Sequence, residues 1–212
     1  MFGASNIFVK NTIHMKKVIL MTAFSTFGMV GESFSQTTTY ELDKNHARLG
    51  FSVSHFGISH VEGTFHTFDV IMKSAKSDFS DAQIDLTADV NSIDTDNDMR
   101  DKDLKGENWF NAEKYSKLTF KSKSFKKVNG NKYALAGDLT IHGITKPITL
   151  DVVYNGKSAN PMTKKMSAGF TVTGKLNRKD FSVGPNSASP VGDEIEIRSN
   201  VEFVSSEEIT QK

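Results

Sequence analysis

The chain has 212 residues, with 26 Lys and Arg side chains against 25 Asp and Glu, and a formal net charge of +1 at pH 7. Because these charges are interspersed, a nucleic-acid-binding surface, which needs concentrated positive charge, is not expected. Cysteine is absent, which excludes disulfides, thiolate catalysis and cysteine-based zinc sites. A hydrophobic fraction of 37% with 16 Phe residues suits a packed domain and argues against disorder.

Residues 16–35 have the pattern of a secretory signal peptide. Two lysines open the segment, an uncharged apolar run follows over 18–30, and Ser33 and Ser35 are the small residues that precede a cleavage point. We predict cleavage after Ser35, with residues 1–35 removed and the protein exported to the periplasm or the medium. The alternative is an uncleaved anchor, but the apolar run is too short to span a bilayer, so stable membrane insertion is not expected. Because Met15 directly precedes the two lysines, we predict that translation starts there.

Residues 36–212 are predicted to form one all-β domain. Apolar and polar residues alternate with period two in six runs, which lie at 49–53, 84–90, 133–141, 148–154, 166–172 and 195–203. This alternation places the apolar side chains on one face of a sheet. Asn129-Gly130 and Asn155-Gly156 predict hairpin turns, because both residue types tolerate positive φ. Short strands and tight turns favour a sandwich or a closed barrel.

Residues 94–110 interrupt the alternation. The spacing of Met99 and Leu104 predicts a short helix capped by one of residues 96–98. We predict that this excursion covers one end of a barrel, with Trp109-Phe110 inserted into it. The acidic residues that open the segment begin like a calcium loop but lack its central Gly and final Glu. They are therefore predicted to cap the helix and not to bind a metal.

Other catalytic or metal-binding patterns are missing from the sequence. No two histidines after residue 35 stand at i and i+2 of a strand or i and i+4 of a helix, and no nucleophile elbow or zinc-protease motif occurs. We predict no catalytic residues, no metal and no cofactor. An enzyme stays open as an alternative, because active sites also assemble from distant positions.

Six segments of the chain carry motifs that point to one family, in the expected order. They lie at residues 46–57, 61–65, 92–104, 109–115, 137–147 and 177–181. Together they resemble the YceI-like family, the polyisoprenoid-binding, lipocalin-like proteins, over about residues 38–204. The resemblance implies an extended eight-stranded antiparallel barrel with a long internal cavity that binds isoprenoid or other long-chain lipids, usually outside the bacterial cytoplasm. One departure is Ser182, where the family commonly has Gly.

An eight-stranded barrel is just wide enough to hold one slender ligand. Burial of an apolar chain gains about 25 cal/mol per Å², so affinity needs no hydrogen bond. The predicted ligand-binding residues are Phe51, Val53, His55, Phe65, Phe68, Ile84, Leu86, Phe120, Leu139, Leu150 and Phe170. Any of the apolar members could instead fill a solid core. His46 and Arg48, together with His55, are predicted near the barrel mouth, where they would contact a polar ligand head.

The leading hypothesis is a non-enzymatic protein that binds, carries or sequesters a polyprenyl-type lipid in the cell envelope. The candidate ligands are a quinone, a polyprenyl phosphate or a fatty-acid derivative. An enzyme that modifies an isoprenoid in the same barrel would need a strongly perturbed ionisable cluster deep in the cavity. A structural secreted module would have a filled core instead. No motif indicates an oligomer.

Overall fold

The computed structural model describes Met1 and residues 36–187 and 189–208. The predicted signal peptide, its cleavage site and the predicted start at Met15 lie outside the described residues. Within the described ranges, no helix is long and apolar enough to cross a membrane.

The described residues contain eleven β-strands and one α-helix. The strands are β1 (Thr38–Leu42), β2 (Arg48–His55), β3 (Ser59–Phe65), β4 (Phe68–Ser74), β5 (Gln83–Asp89), β6 (Ile93–Asp94), β7 (Lys117–Asn129), β8 (Lys132–Ile141), β9 (Ile144–Ala159), β10 (Lys165–Asn177) and β11 (Val191–Glu208). The helix is α1 (Asp98–Lys105), and short 3₁₀ helices lie at Lys44–His46, Val90–Ser92 and Arg178–Phe181.

The strands pair antiparallel into a closed barrel. From β1 the hydrogen bonds run through β4, β5, β7, β8, β9, β10 and β11, and β11 pairs with β1 again. After a short break, β2 continues the course of β1, β3 leads into β4, and β6 continues β5. In this part of the barrel β2 pairs with β11, β3 pairs with β2, and β6 pairs with β3. The result is an eight-stranded lipocalin-like barrel in which successive strands are neighbours, which confirms the predicted fold class.

Because neighbouring strands are antiparallel, alternate connections gather at the same end of the barrel. One end, called the α1 end, carries the connections β2–β3, β6–β7, β8–β9 and β10–β11. The other end, called the Phe79 end, carries the connections β4–β5, β7–β8 and β9–β10.

The predicted alternation is clearest in β8, where every second residue from Tyr133 to Ile141 is buried. The predicted helix is also present, and its N-cap is Asn97, whose side chain accepts a hydrogen bond of 3.0 Å from the Arg100 N–H. The hairpin predicted at Asn129-Gly130 joins β7 to β8.

The hairpin predicted at Asn155-Gly156 is wrong. Both residues lie inside β9, where Gly156 pairs with Gly169 and Tyr154 pairs with Phe170, so Asn155 is an extra residue in the ladder. The positive φ of Gly156, 121°, therefore serves a β-bulge. Pairing with β10 on both sides of the bulge outweighs the local turn preference.

Candidate functional site: the barrel cavity

A cavity of about 510 Å³ runs along the inside of the barrel. Its wall is formed by the inward-facing side chains of the strands, which are almost all aliphatic or aromatic. At the α1 end the wall includes the exposed Met99, whereas at the Phe79 end it consists of buried residues such as Phe125, Phe170 and Phe203. The cavity therefore opens at the α1 end.

The structure places all the predicted ligand-binding residues on the wall of this cavity. They are Phe51, Val53, His55, Phe65, Phe68, Ile84, Leu86, Phe120, Leu139, Leu150 and Phe170. The barrel brings them together from eight strands, β2 to β5 and β7 to β10. Their contact with a ligand stays a prediction.

His46 and Arg48, the predicted head-group contacts, are not among the described residues that line the cavity. His46 lies on the exposed 3₁₀ helix between β1 and β2, where its Nδ1 is 3.0 Å from Asp43 Oδ2. This hydrogen bond with the Asp43 carboxylate raises the pKa of the imidazole. Arg48 is exposed and alternates with the inward-facing Leu49, so period two already assigns it to the outer face.

Bulky wall residues lie flat because inward-facing glycines stand beside them on neighbouring strands. A methyl group added to any of these glycines would overlap the large side chain that covers it. The pairs are Phe51 on Gly63, Phe120 on Gly137 and Leu150 on Gly174. By keeping these side chains against the wall, the glycines leave the axis of the barrel free.

The Phe79 end is closed by an aromatic cluster. The Phe79 ring is 1% exposed and packs edge-on against Tyr40, Tyr154 and Phe170, each with ring centroids 5.4 Å apart. The Tyr133 hydroxyl donates a hydrogen bond of 2.7 Å to the Asp78 carbonyl, which ties the β4–β5 connection to the barrel. A ligand therefore cannot pass through this end.

The connection that carries Phe79 is also held by the Asp81 carboxylate. It accepts hydrogen bonds from the Ser74 hydroxyl at 2.6 Å and from the Ala75 N–H at 3.0 Å. Burial by itself would raise the pKa of Asp81, but these hydrogen bonds and one from the Lys76 N–H outweigh it and lower the pKa. The carboxylate is thus kept ionised to hold the turn.

The α1 end supplies the polar part of the wall. The polar and charged side chains there are Ser54, His55, Thr95, Asn97, Arg100, Asp103 and Arg178. The Arg100 guanidinium donates to the Thr95 hydroxyl at 2.7 Å and to the Thr95 carbonyl at 2.6 Å, which fixes α1 beside the opening. Trp109 and Phe110 also line the cavity, and the sequence predicted that they are inserted into this end of the barrel.

Arg178 is buried at 3% exposure, and its guanidinium is held by several groups of the protein. Its Nη1 donates to the Val183 carbonyl at 2.8 Å, and its Nη2 lies 2.8 Å from Asp193 Oδ1. The guanidinium also lies over the Trp109 ring, 5.6 Å from the centroid. We conclude that Arg178 braces the β10–β11 connection.

The described part of the chain has no metal-binding cluster of His, Asp or Glu. The titratable side chains on the cavity wall are His55, Arg100, Asp103 and Arg178, all at the α1 end. Among the described residues, the deeper wall therefore has no pair of acid and base groups of the kind that the enzyme hypothesis requires.

Residues 40–203, more than half of the chain, match the model of the YceI-like domain. The chain belongs to the YceI-like family. A UPF0312 protein of Staphylococcus aureus (strain bovine RF122 / ET3-1) is 38% identical to it over 173 residues, which cover 82% of this chain and 98% of that protein.

Two solved structures have the fold of this YceI-like barrel. BcnA of Burkholderia cenocepacia superposes with a TM-score of 0.69 at 26% identity, covering 76% of this chain and 98% of BcnA. A polyisoprenoid-binding domain from Saccharophagus degradans, implicated in plant cell wall breakdown, has a TM-score of 0.59 at 15% identity, covering 78% of this chain and 98% of that domain. At this low identity the second likeness concerns the fold alone.

The departure from the YceI-like pattern at Ser182 has a local consequence. Ser182 has a φ of 54°, in the left-handed region that favours Gly, and it ends the 3₁₀ helix Arg178–Phe181. Its N–H donates to the Lys179 carbonyl at 3.0 Å. The turn is thus formed with Ser in place of Gly, and the fold is unchanged.

The sequence analysis named only part of the wall of this YceI-like cavity, and it missed both Phe79, which closes one end, and Ser199. Phe79 lies in a connection without periodicity, and the only signal was an isolated aromatic residue between Ser and Asp. Ser199 interrupts the apolar positions of β11, facing the cavity between Ile197 and Val201. In the sequence, Ser199 is recognisable as a polar residue in the apolar series of β11, but the alternation alone gives it no role.

Proposed function

We propose that this YceI-like protein binds one long, slender, apolar lipid of the isoprenoid type inside its barrel and carries it without chemical change. The observation that carries the proposal is the cavity of about 510 Å³, closed by the Phe79 cluster and open at the α1 end. Its volume lies in the range of small-molecule sites, and below the opening its wall is apolar apart from Ser199.

The energetics of such a site favour a long hydrocarbon. Each 100 Å² of apolar ligand surface removed from water contributes about 2.5 kcal/mol, before the cost of immobilising the chain. A long hydrocarbon can therefore bind in this cavity with substantial affinity without making a hydrogen bond. A flat or highly charged ligand would not match an elongated apolar cavity.

A domain of the same fold binds this ligand class. The neighbour from Saccharophagus degradans is a polyisoprenoid-binding domain, and the cavity of this chain has the chemistry that such a ligand requires. The quinone tail, the polyprenyl phosphate and the fatty-acid derivative remain the candidate ligands. We further propose that the protein acts in the bacterial cell envelope or outside the cell, on the basis of the signal-peptide pattern at residues 16–35.

The direct test is mass spectrometry of an organic extract of the natively purified protein, followed by uptake of added geranylgeraniol. We expect a prenyl or long acyl chain in the extract, or saturable uptake by the emptied protein. Val172→Trp should abolish uptake because a bulky apolar ring would fill the cavity that Val172 lines.

The matched control is Val153→Trp. Val153 alternates with the buried Val152 on β9 and is not on the cavity wall, so this variant should bind normally. Absence of any extracted lipid together with no uptake by the wild type would contradict the proposed function. Equal binding by both tryptophan variants would place the ligand outside the barrel.

A further inference from the structure

We infer that Ser199 is a specificity-determining residue that hydrogen-bonds a neutral oxygen of the ligand at mid-depth in the cavity. Ser199 occupies the middle of the inward-facing series of β11, whose other members are Ile195, Ile197, Val201 and Phe203. It is 6% exposed, and its Oγ has no hydrogen-bond partner among the described residues. The inference rests on the proposed function and narrows the chemical class of ligand that the cavity binds.

An unpaired hydroxyl in this position is unfavourable for the protein alone. Burial of a polar group without a hydrogen bond is destabilising, and an aliphatic side chain would continue the pattern of β11 without that cost. Ser199 lines the cavity, and rotation about χ1 turns its covered Oγ toward a ligand that occupies this space, which can then supply the missing partner. The hydroxyl can donate to a ligand oxygen or accept from a ligand hydroxyl.

The surroundings of Ser199 select a neutral partner. On the flanking strands, Ser199 pairs with Val172 and Leu49, and both of these side chains line the cavity. No charged residue of the described wall stands at this level, because the charged wall residues lie at the α1 end. A phosphate at this depth would lose its hydration without gaining a counter-charge.

The chemical class that fits is therefore an isoprenoid that carries a hydroxyl or carbonyl oxygen, such as a prenyl alcohol or a prenylated quinone. If the ligand is a prenyl phosphate, the phosphate has to stay at the α1 end, out of reach of Ser199. The inference thus separates the candidate ligands by where their polar group is located.

The experiment compares three probes on the wild type and Ser199→Ala: geranylgeraniol, geranylgeranyl phosphate, and the hydrocarbon of the same chain without oxygen. Ser199→Ala should weaken geranylgeraniol binding about five- to tenfold, which corresponds to the loss of one hydrogen bond. Binding of the hydrocarbon should stay unchanged or become tighter, and the phosphate should be unaffected by the substitution.

Ser52→Ala is the matched control, because Ser52 is a buried serine of the adjacent strand β2 that does not line the cavity. It should leave all three affinities unchanged. Equal weakening of alcohol and hydrocarbon by Ser199→Ala, or no weakening of the alcohol, would overturn the inference while the proposed function stands. If no probe binds the wild type, the proposed function itself fails.

Discussion

At Phe79, backbone strain and side-chain burial act in opposite directions. Its φ of 60° lies in the left-handed region, which costs an L-residue roughly 1–2 kcal/mol. Burial of the ring contributes about 1.5–3 kcal/mol, and each edge-on aromatic contact adds about 0.5–1.5 kcal/mol. With three such contacts, burial outweighs strain, and the unusual conformation persists where it closes the cavity.

Phe79→Ala should lower the free energy of unfolding by about 3 kcal/mol, because the substitution removes a fully buried ring and leaves a void. The variant should also open the cavity at the Phe79 end. Urea unfolding measures the first effect, and the dissociation rate of a bound prenyl alcohol measures the second. Val128→Ala at the same end is the control, since Val128 is 64% exposed and should change stability by less than about 0.5 kcal/mol. Equal losses of stability and equal dissociation rates in the two variants would show that Phe79 does not close the barrel.

The strands keep their cavity open through the glycines that face inward. At Gly63 the three atoms nearest to an added methyl group all belong to the Phe51 ring, whereas at Gly137 the methyl group would also overlap the Lys121 carbonyl of the backbone. A substitution at Gly63 can thus be accommodated by movement of one ring, and that ring can only move into the cavity. Gly63 is therefore a glycine at which cavity volume can be changed with little damage to the strand ladder.

Gly63→Ala should leave the barrel folded but reduce the affinity for a prenyl chain about tenfold or more, because the displaced Phe51 ring occupies space that the ligand needs. Gly169→Ala is the control. Its side chain would face outward, with Asn155 Cβ at 3.7 Å as the nearest atom. Affinity can be measured by calorimetry with geranylgeraniol, and far-ultraviolet circular dichroism checks the fold. Undiminished affinity in Gly63→Ala would show that the Phe51 position does not limit the ligand.

The β4–β5 connection should respond to acid through Asp81. Its pKa is lowered in the folded protein, so the stabilisation is present above the ordinary carboxyl value of 3.8 and is lost as the pH falls through the folded value. Asp81→Asn should therefore lower the free energy of unfolding by about 1–2 kcal/mol at neutral pH. The difference in free energy of unfolding between this variant and the wild type should shrink as the pH approaches about 3.

Asp85→Asn is the control for this pH dependence, because Asp85 is an exposed aspartate on the outer face of β5. Urea unfolding of the wild type and both variants at each pH gives the comparison. A loss in Asp81→Asn that is the same at acidic and neutral pH would mean that the ionised carboxylate is not what holds the connection.

Local sequence patterns predicted the elements better than their connections. In β8 the alternation holds along the strand, and the cap of α1 falls within the predicted residues, because both depend on near neighbours in the chain. The turn at Asn129-Gly130 also forms, yet the same dipeptide type at Asn155-Gly156 becomes a bulge. The difference comes from pairing with β10, which a local pattern does not contain.

At the scale of the whole molecule, two features lay beyond the strand pattern. Closure depends on pairs such as Leu42 with Phe203, which join opposite ends of the domain sequence, and the period-two pattern fits a sandwich equally well. The family resemblance, not the pattern, indicated the barrel. The sequence likewise does not distinguish an open cavity from a filled core, because the same Phe and Leu residues suit both. The difference lies in whether their side chains lie flat against a glycine of the neighbouring strand.

A ligand that binds only the folded barrel must stabilise the whole molecule. At a free concentration of one hundred times the dissociation constant, the gain is about 2.7 kcal/mol, which raises the melting temperature of a domain of this size by roughly 5–10 °C. Geranylgeraniol should produce this shift in the wild type and none in Val172→Trp. Trp109 is the single tryptophan of the chain and lines the cavity, so its fluorescence should change over the same ligand concentrations. A saturable fluorescence change without any rise in melting temperature would mean that the lipid also binds the unfolded chain and that burial in the barrel is not its source of affinity.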